Sequence, residues 1–487
     1  MIDAPRCHVS PPALRDDFMT QLRLAPVLLS LTLLVASASA ADPPPKPNIV
    51  WIMAEDIGPD LGCYGTPALQ TPNIDKLAAS GLQLERAYCT APICSTNRSA
   101  MMTGMHQTTI GAHHHRSQIG KLPEPIKPIT HYLKEQGYYC AIGCGYGKKT
   151  DFNFTIDKAD QFDGNDWKLR QPGQPFFAHI QLGVTHRGGW WNKTRQESSD
   201  PVDPAKVELP PYLPDHPAIR LDWATYLDQM EKADEQVGEI VARLEKEGLI
   251  DNTLIIFIGD NGRCVFRGKG FVFEDGIRIP AIFSWPGKIQ PGTKSDELVS
   301  VIDMSAEVLA VAGAKIPGYM EGRPFLEEEA KPREYVFAAR DRWDEVYDKS
   351  RAIVGKRYKF IRNDMPEVPY FTTHAYEEKV RPIRPVLWQL YQEGKMNEVQ
   401  AYLMQPQKPK EELYDLEADP WETKNLIDDP KLAAEADKLR KALHQWEEET
   451  DDQGRYPEPD SHVAKQQRQE IAERLKNLKE GTAKYPQ

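Results

Sequence analysis

One cysteine stands four residues before an arginine in Ala91-Pro92-Ile93-Cys94-Ser95-Thr96-Asn97-Arg98-Ser99-Ala100-Met101-Met102-Thr103-Gly104. The stretch reads as the start of a short helix, and residues four apart on a helix share a face. A helix N-terminus also presents free N–H groups and the positive end of its dipole, which suits an anion. Read together, the thiol of Cys94, the guanidinium of Arg98 and the helix start make a site for an oxyanion ester. Read separately, they are a buried thiol beside an exposed arginine.

Two other places carry oxygen donors. Asn48 to Ala54 is an uninterrupted apolar run ending in Glu55-Asp56, and Thr253 to Gly259 is a second such run ending in Asp260-Asn261. Runs of this kind form strands buried on both faces of a parallel sheet. The C-terminal ends of such strands are where α/β sheets bind ligands. Glu55, Asp56, Asp260 and Asn261 form an all-oxygen set suited to Ca²⁺ or Mg²⁺ rather than to a thiolate-seeking metal.

Cations and histidines complete the inventory. Lys148 follows a run of glycines, but Lys149 stands where a P-loop needs Ser or Thr, so only an anion-binding lysine is retained there. Lys269 lies between two glycines shortly after Asp260. His186 stands just beyond the apolar run 175–182, a position fit for acid–base work or anion binding. His113, His114, His115 and Arg116 form a basic loop without helical spacing. That loop either lines an anionic substrate pocket or is solvated.

The elements that must position these residues alternate strand and helix. Strands are expected over 48–54, 82–88, 138–142, 175–182 and 253–259, with a long amphipathic helix over 219–246 closed by Gly248. The alternation points to an α/β domain with a mostly parallel sheet. Beyond residue 333 the pattern changes: 351–354 and 357–362 read as an antiparallel hairpin, followed by charged helical sequence and a solvated tail from Ser461. The expected organisation is a signal segment over 1–40, a catalytic domain over 41–332 and a C-terminal α+β subdomain over 333–487.

A net charge of −12 over 487 residues argues against nucleic acid and anionic membrane as partners, though not against an anionic substrate. Arg15 and Arg23 precede the apolar stretch Leu24 to Ala36, and Ala38-Ser39-Ala40 has the form of a cleavage site. The stretch is short for a membrane span, and no cysteine follows the cleavage site, so a secreted or periplasmic chain without a stable membrane anchor is expected. Six cysteines remain after cleavage, too few for a disulfide scaffold in a chain of this length.

In this order, the motifs resemble the type I sulfatases, a family of the alkaline phosphatase superfamily. The marks are Pro47-Asn48-Ile49-Val50 leading to Glu55-Asp56, Thr71-Pro72-Asn73-Ile74-Asp75-Lys76-Leu77-Ala78, Arg98 to Gly104, Asp260-Asn261-Gly262, Gly268-Lys269-Gly270 and Leu413 to Leu426. They run from Pro47 to Pro430. Gly111 to Arg116 and Arg340-Asp341-Arg342 look most like the heparan N-sulfatase branch. The resemblance implies a large mixed, mostly parallel sheet flanked by helices, with a smaller C-terminal subdomain. It implies that Cys94 is oxidised to formylglycine by a formylglycine-generating enzyme or an anaerobic maturase, and that one oxygen of the aldehyde hydrate attacks sulfur. It further implies one Ca²⁺ held by Glu55, Asp56, Asp260 and Asn261. Arg98, Lys148 and Lys269 would neutralise sulfate, and His186 would bind sulfate or protonate the leaving group.

Three positions depart from the family pattern. Glu55 stands where the first metal ligand is usually Asp, Thr150 where a histidine steers the hydrate, and Thr96 at the Pro/Ala position of the maturation signal. One of His113 to His115 is a candidate replacement for the missing histidine. The expected activity is hydrolysis of sulfate esters or sulfamates of sulfated, glycosaminoglycan-like sugars. The alternatives are a phosphoester or phosphonate hydrolase using unmodified Cys94, and a catalytically silent sulfoglycan-binding protein.

Overall fold

In the computed structural model, residues 45–327 and 329–485 are described, so the signal segment expected over 1–40 lies outside the described residues. Eight strands form the principal sheet. They are β1 (Asn48–Ala54), β2 (Leu82–Tyr88), β3 (Tyr139–Ile142), β4 (Phe176–Leu182), β5 (Thr253–Gly259), β6 (Arg278–Ser284), β7 (Thr293–Ser295) and β8 (Val299–Ser300). Their order is β3-β4-β1-β5-β6-β2-β7, with β8 also paired to β2. β3, β4, β1 and β5 run parallel, while β6 is antiparallel to both β5 and β2.

Every residue of β1, β4 and β5 is buried, which requires cover on both sheet faces. Two helix groups provide it. The 30-residue helix Pro217–Lys246 packs with Pro72–Ala79 and Trp190–Glu197, and Val301–Val311 packs with Cys94–Thr103 and Ile129–Glu135. Truncating one of these buried aliphatics, for instance Ile52→Ala, would cost about 2–5 kcal/mol.

The hairpin expected near residue 350 belongs to a second sheet of four antiparallel strands: β9 (Val336–Arg340), β10 (Ser350–Val354), β11 (Tyr358–Asn363) and β12 (Glu411–Asp415). The helix Ala433–Glu449 buries Leu439, Leu443 and Trp446 against Ile353, Phe360 and Leu413 of this sheet. Residues 45–485 form one compact unit. The tail expected to be solvated from Ser461 is largely exposed or half-buried, with one anchored point in its helix. Lys465–Lys479 is a helix whose Gln467 is buried and donates from Nε2 to the carbonyl of His115 at 3.1 Å. A single buried amide fell below what its charged sequence displays.

Among the described residues no helix is long and apolar enough to cross a membrane, and all six described cysteines are free thiols.

Candidate active site

β1 and β5 are neighbours in register, with Ala54 opposite Gly259. The next residues of both strands therefore emerge together at one rim. The main-chain N–H of Asp260 donates to the Ala54 carbonyl at 3.0 Å, and that of Asp56 donates to the Asp260 carboxylate at 2.9 Å. Glu55, Asp56, Asp260 and Asn261 are all buried at this rim. Asn261 Nδ2 donates to Asp56 Oδ1 at 3.0 Å, while Asn261 Oδ1 is buried and accepts no hydrogen bond. Gly262 is required next because a Cβ there would lie 2.2 Å from the Asp275 carbonyl oxygen.

Cys94 opens the helix Cys94–Thr103, which is buried along its whole length. Arg98, one turn later, reaches the same rim and binds Asp260 through Nε and Nη2, both at 2.9 Å. Asn97 joins the two segments by donating from Nδ2 to the Asp260 carbonyl at 2.5 Å. Lys269 Nζ sits on the Asp56 carboxylate at 2.7 and 2.9 Å. His186, after β4, has Nε2 3.9 Å from Glu55 Oε2.

Lys148 is corrected. It is exposed, and the lysine that enters the cluster is Lys149, whose Nζ lies 2.9 Å from Glu55 Oε2 and 3.2 Å from Asp151 Oδ2. Gly147, just ahead of this pair, forms an isolated bridge with Gln181 in β4. Lys148 faces solvent, and Lys149, half-buried, turns in to the carboxylates. The basic loop is also divided. His115 Nε2 lies 3.7 Å from Cys94 Sγ, its Nδ1 lies 2.8 Å from Asp344, and Arg116 Nε lies 3.4 Å from Asp151. His113 and His114 are instead buried against each other, their rings tilted at 47° with centroids 4.3 Å apart, and His114 Nδ1 accepts from the Arg342 main chain. They are packing groups facing the second sheet, where Arg351 and Arg342 act on both, rather than pocket lining.

Asp151 escaped the sequence reading altogether. Its Oδ2 accepts from Cys94 Sγ at 3.2 Å. The only signal in the sequence was its place two residues after a lysine in a glycine-rich loop.

Burial dominates the electrostatics. It pushes the Cys94 thiol up to about 12 despite nearby Lys149, so the thiol is protonated at neutral pH. Burial, aided by Lys269, lowers His186 to about 4, leaving it neutral. Burial would raise Asp56, but the Lys269 ammonium overcomes it and holds this carboxyl well below the usual range. Asp260 moves the other way, because burial and the adjacent Asp56 and Glu55 outweigh Arg98. Lys269 is pulled up by Asp56 against its burial and stays charged.

Three buried carboxylates and an unpaired amide oxygen at one rim are oxygen donors of the kind that suits a hard divalent cation such as Ca²⁺ or Mg²⁺. Beside the rim, a cleft of about 280 Å³ opens between Arg116, Asp344, Tyr376, Lys379, Gln467 and Glu470.

A family model described as Sulfatase matches residues 47–164 and 146–314. The chain belongs to the sulfatase family. A second model, N-sulphoglucosamine sulphohydrolase, C-terminal, matches residues 262–409 of this sulfatase. An ulvan-active sulfatase of Formosa agariphila is 31% identical over 463 residues, covering 85% of this chain and 77% of its own. Human N-sulphoglucosamine sulphohydrolase is 24% identical over 471 residues, covering 83% and 90%. A solved 2-O GAG sulfatase superposes with a TM-score of 0.61 at 18% identity, covering 85% and 95%, which is a likeness of fold. As a member of this family the sulfatase is a hydrolase of sulfate esters or sulfamates.

Proposed function

We propose that this sulfatase releases sulfate from sulfated sugars, using residue 94 as formylglycine and one Ca²⁺. The observation that carries the reading is the convergence of Arg98, Lys149 and Lys269 on the rim where Cys94 opens its helix. Three fixed cations in a buried site stabilise a transferring sulfate without reorganising. The Cys94 Sγ marks where the oxygens of the aldehyde hydrate would stand. Glu55, Asp56, Asp260 and Asn261 would hold the ion, which supplies positive charge to the reacting oxygens when bound. Arg98 and Lys269 tether that ligand set, Lys149 spans Glu55 and Asp151, and neutral His186 is free to receive or give a hydrogen bond at the rim.

A thiol pushed up to about 12 is a poor nucleophile at neutral pH, which disfavours the phosphoester hydrolase with unmodified Cys94. The ulvan-active sulfatase and N-sulphoglucosamine sulphohydrolase among the relatives support a polyanionic sugar as substrate. The proposal includes export to a secreted or periplasmic location and a maturase partner that acts on Cys94.

The test is two measurements on one preparation from a host with maturation enzymes. Peptide mass across residue 94 is expected to show aldehyde, and sulfated disaccharides are expected to release sulfate. Thiol alone at residue 94 with sulfate still released would overturn the mechanism; aldehyde with no release from any sulfated sugar would overturn the substrate class.

A further inference from the structure

Thr150 stands where the family resemblance calls for a histidine, and its side chain makes no hydrogen bond among those of the site. The next residue takes the position instead. Asp151 is a non-glycine residue at φ +54°, a conformation that costs about 1–3 kcal/mol and persists only where neighbours enforce it. The enforcement is visible. Asn153 donates from its main chain to Ser99 Oγ at 3.0 Å, and from Nδ2 to the carbonyls of Ala112 and His114 at 2.7 and 2.8 Å. Phe152 and Phe154 stack at 5.4 Å. The loop is thus pinned to the Cys94 helix and to the histidine loop, and the turn it makes aims the Asp151 carboxylate at residue 94.

Around that carboxylate stand Lys149 at 3.2 Å, Arg116 at 3.4 Å and the Cys94 sulfur at 3.2 Å. His115 approaches the same sulfur at 3.7 Å, and its other nitrogen is fixed by Asp344. We propose that Asp151 is the proton acceptor for residue 94 in the step that expels sulfate, with His115 oriented by Asp344 as a positioning residue. The inference rests on formylglycine at residue 94. In that step the free hydroxyl on the side-chain carbon of sulfated residue 94 gives its proton to the Asp151 carboxylate. The oxygen's electrons form the C=O bond, and the bond from that carbon to the sulfate oxygen breaks. Inorganic sulfate leaves with that bonding pair, the aldehyde is restored, and Asp151 passes its proton to water.

Two physical points favour Asp151 over His115. Lys149 and Arg116 hold Asp151 ionised in spite of its burial, so an acceptor is always present. A sulfate held by Lys149 and Arg116 would share their charge with the Asp151 carboxylate, which would then be more basic with substrate bound than without it.

The experiment compares wild type, Asp151→Asn, Asp151→Glu and His115→Gln, each with residue 94 confirmed as aldehyde by peptide mass. Asn adopts positive φ as readily as Asp, so Asp151→Asn keeps the loop, and thermal unfolding checks it. Asp151→Asn is expected to lower turnover at least about 100-fold and to accumulate residue 94 heavier than the aldehyde by one SO₃ group and one water, the mass of the sulfated hydrate. Asp151→Glu is expected to recover part of the turnover without accumulating the adduct. His115→Gln is expected to turn over slowly with no adduct. Turnover of Asp151→Asn near wild type, or the adduct appearing in His115→Gln and not in Asp151→Asn, would overturn the assignment while leaving the sulfatase reading intact. Thiol in place of aldehyde in active wild type would overturn that reading and this one with it.

Discussion

The main-chain N–H of Asp56 donates to the Asp260 carboxylate at 2.9 Å across 204 residues of sequence. That one bond locks the ends of β1 and β5 together and sets two carboxylates side by side in a buried rim. Like charges so close need cations, and Arg98, Lys149 and Lys269 supply them from three further segments. The site is therefore held by the groups that would bind its substrate, and removing one of them acts on both stability and chemistry.

Cys94→Ala is expected to abolish sulfate release, by at least about 1000-fold, because the attacking oxygen is lost. Its melting temperature should stay close to that of wild type, since alanine fits the helix start and removes no ionic partner. Residual turnover near wild type would refute covalent catalysis through residue 94.

The neighbouring lysines separate cleanly. Lys149→Ala should lower kcat/KM by about 100–1000-fold, as loss of a fixed charge at a reacting oxyanion does. Lys148→Ala, which truncates an exposed side chain, should change kcat/KM by less than about 2-fold. Steady-state kinetics of the two variants on one substrate decide it.

Chelation followed by Ca²⁺ titration tests the rim. Wild type should gain thermal stability with Ca²⁺, by about 2.7 kcal/mol at a hundredfold excess over Kd. Asn261→Ala, which deletes the unpaired amide oxygen, should weaken that response and shift its midpoint to higher Ca²⁺. An identical Ca²⁺ response in both proteins would rule the ligand out.

Acid stability follows from buried histidines. Burial, helped by Arg98, holds His179 down to about 3, and burial holds His186 at about 4. Between the ordinary histidine value of about 6.5 and those folded values, the unfolded chain binds more protons than the folded one. Folding stability should therefore fall as pH drops from about 6.5 to about 4 and recover on return. His179→Gln should flatten the slope in denaturant titrations across that window, since both ring nitrogens of His179 are buried without partners.

The thiol form gives a further reading of the electrostatics. Before conversion, Cys94 should resist iodoacetamide at pH 8, because burial raises its pKa to about 12. Asp151→Asn should speed alkylation, since the Asp151 charge is among the groups that disfavour the thiolate. Timed alkylation of the folded protein, followed by peptide mass, measures both rates.

What the amino-acid sequence determined by itself was local. Apolar runs ending in acids identify β1 and β5 and their oxygen donors, because a strand buried on both faces must be continuously apolar and its first polar residues mark the rim. Cys94 and Arg98 share a helix face by spacing alone. The tertiary structure decided the rest. That Lys149 rather than Lys148 enters the site follows from the path of the loop after Gly147 against Glu55 and Asp151, tertiary contacts that no local pattern encodes. The same holds for the histidines: one packing arrangement sends His113 and His114 to the second sheet and His115 to Cys94. Asp151 had no motif at all. Its place beside Cys94 comes with a left-handed turn in a loop that Asn153 ties to Ser99, Ala112 and His114, and such a turn is held by neighbours rather than by the residue that bears it.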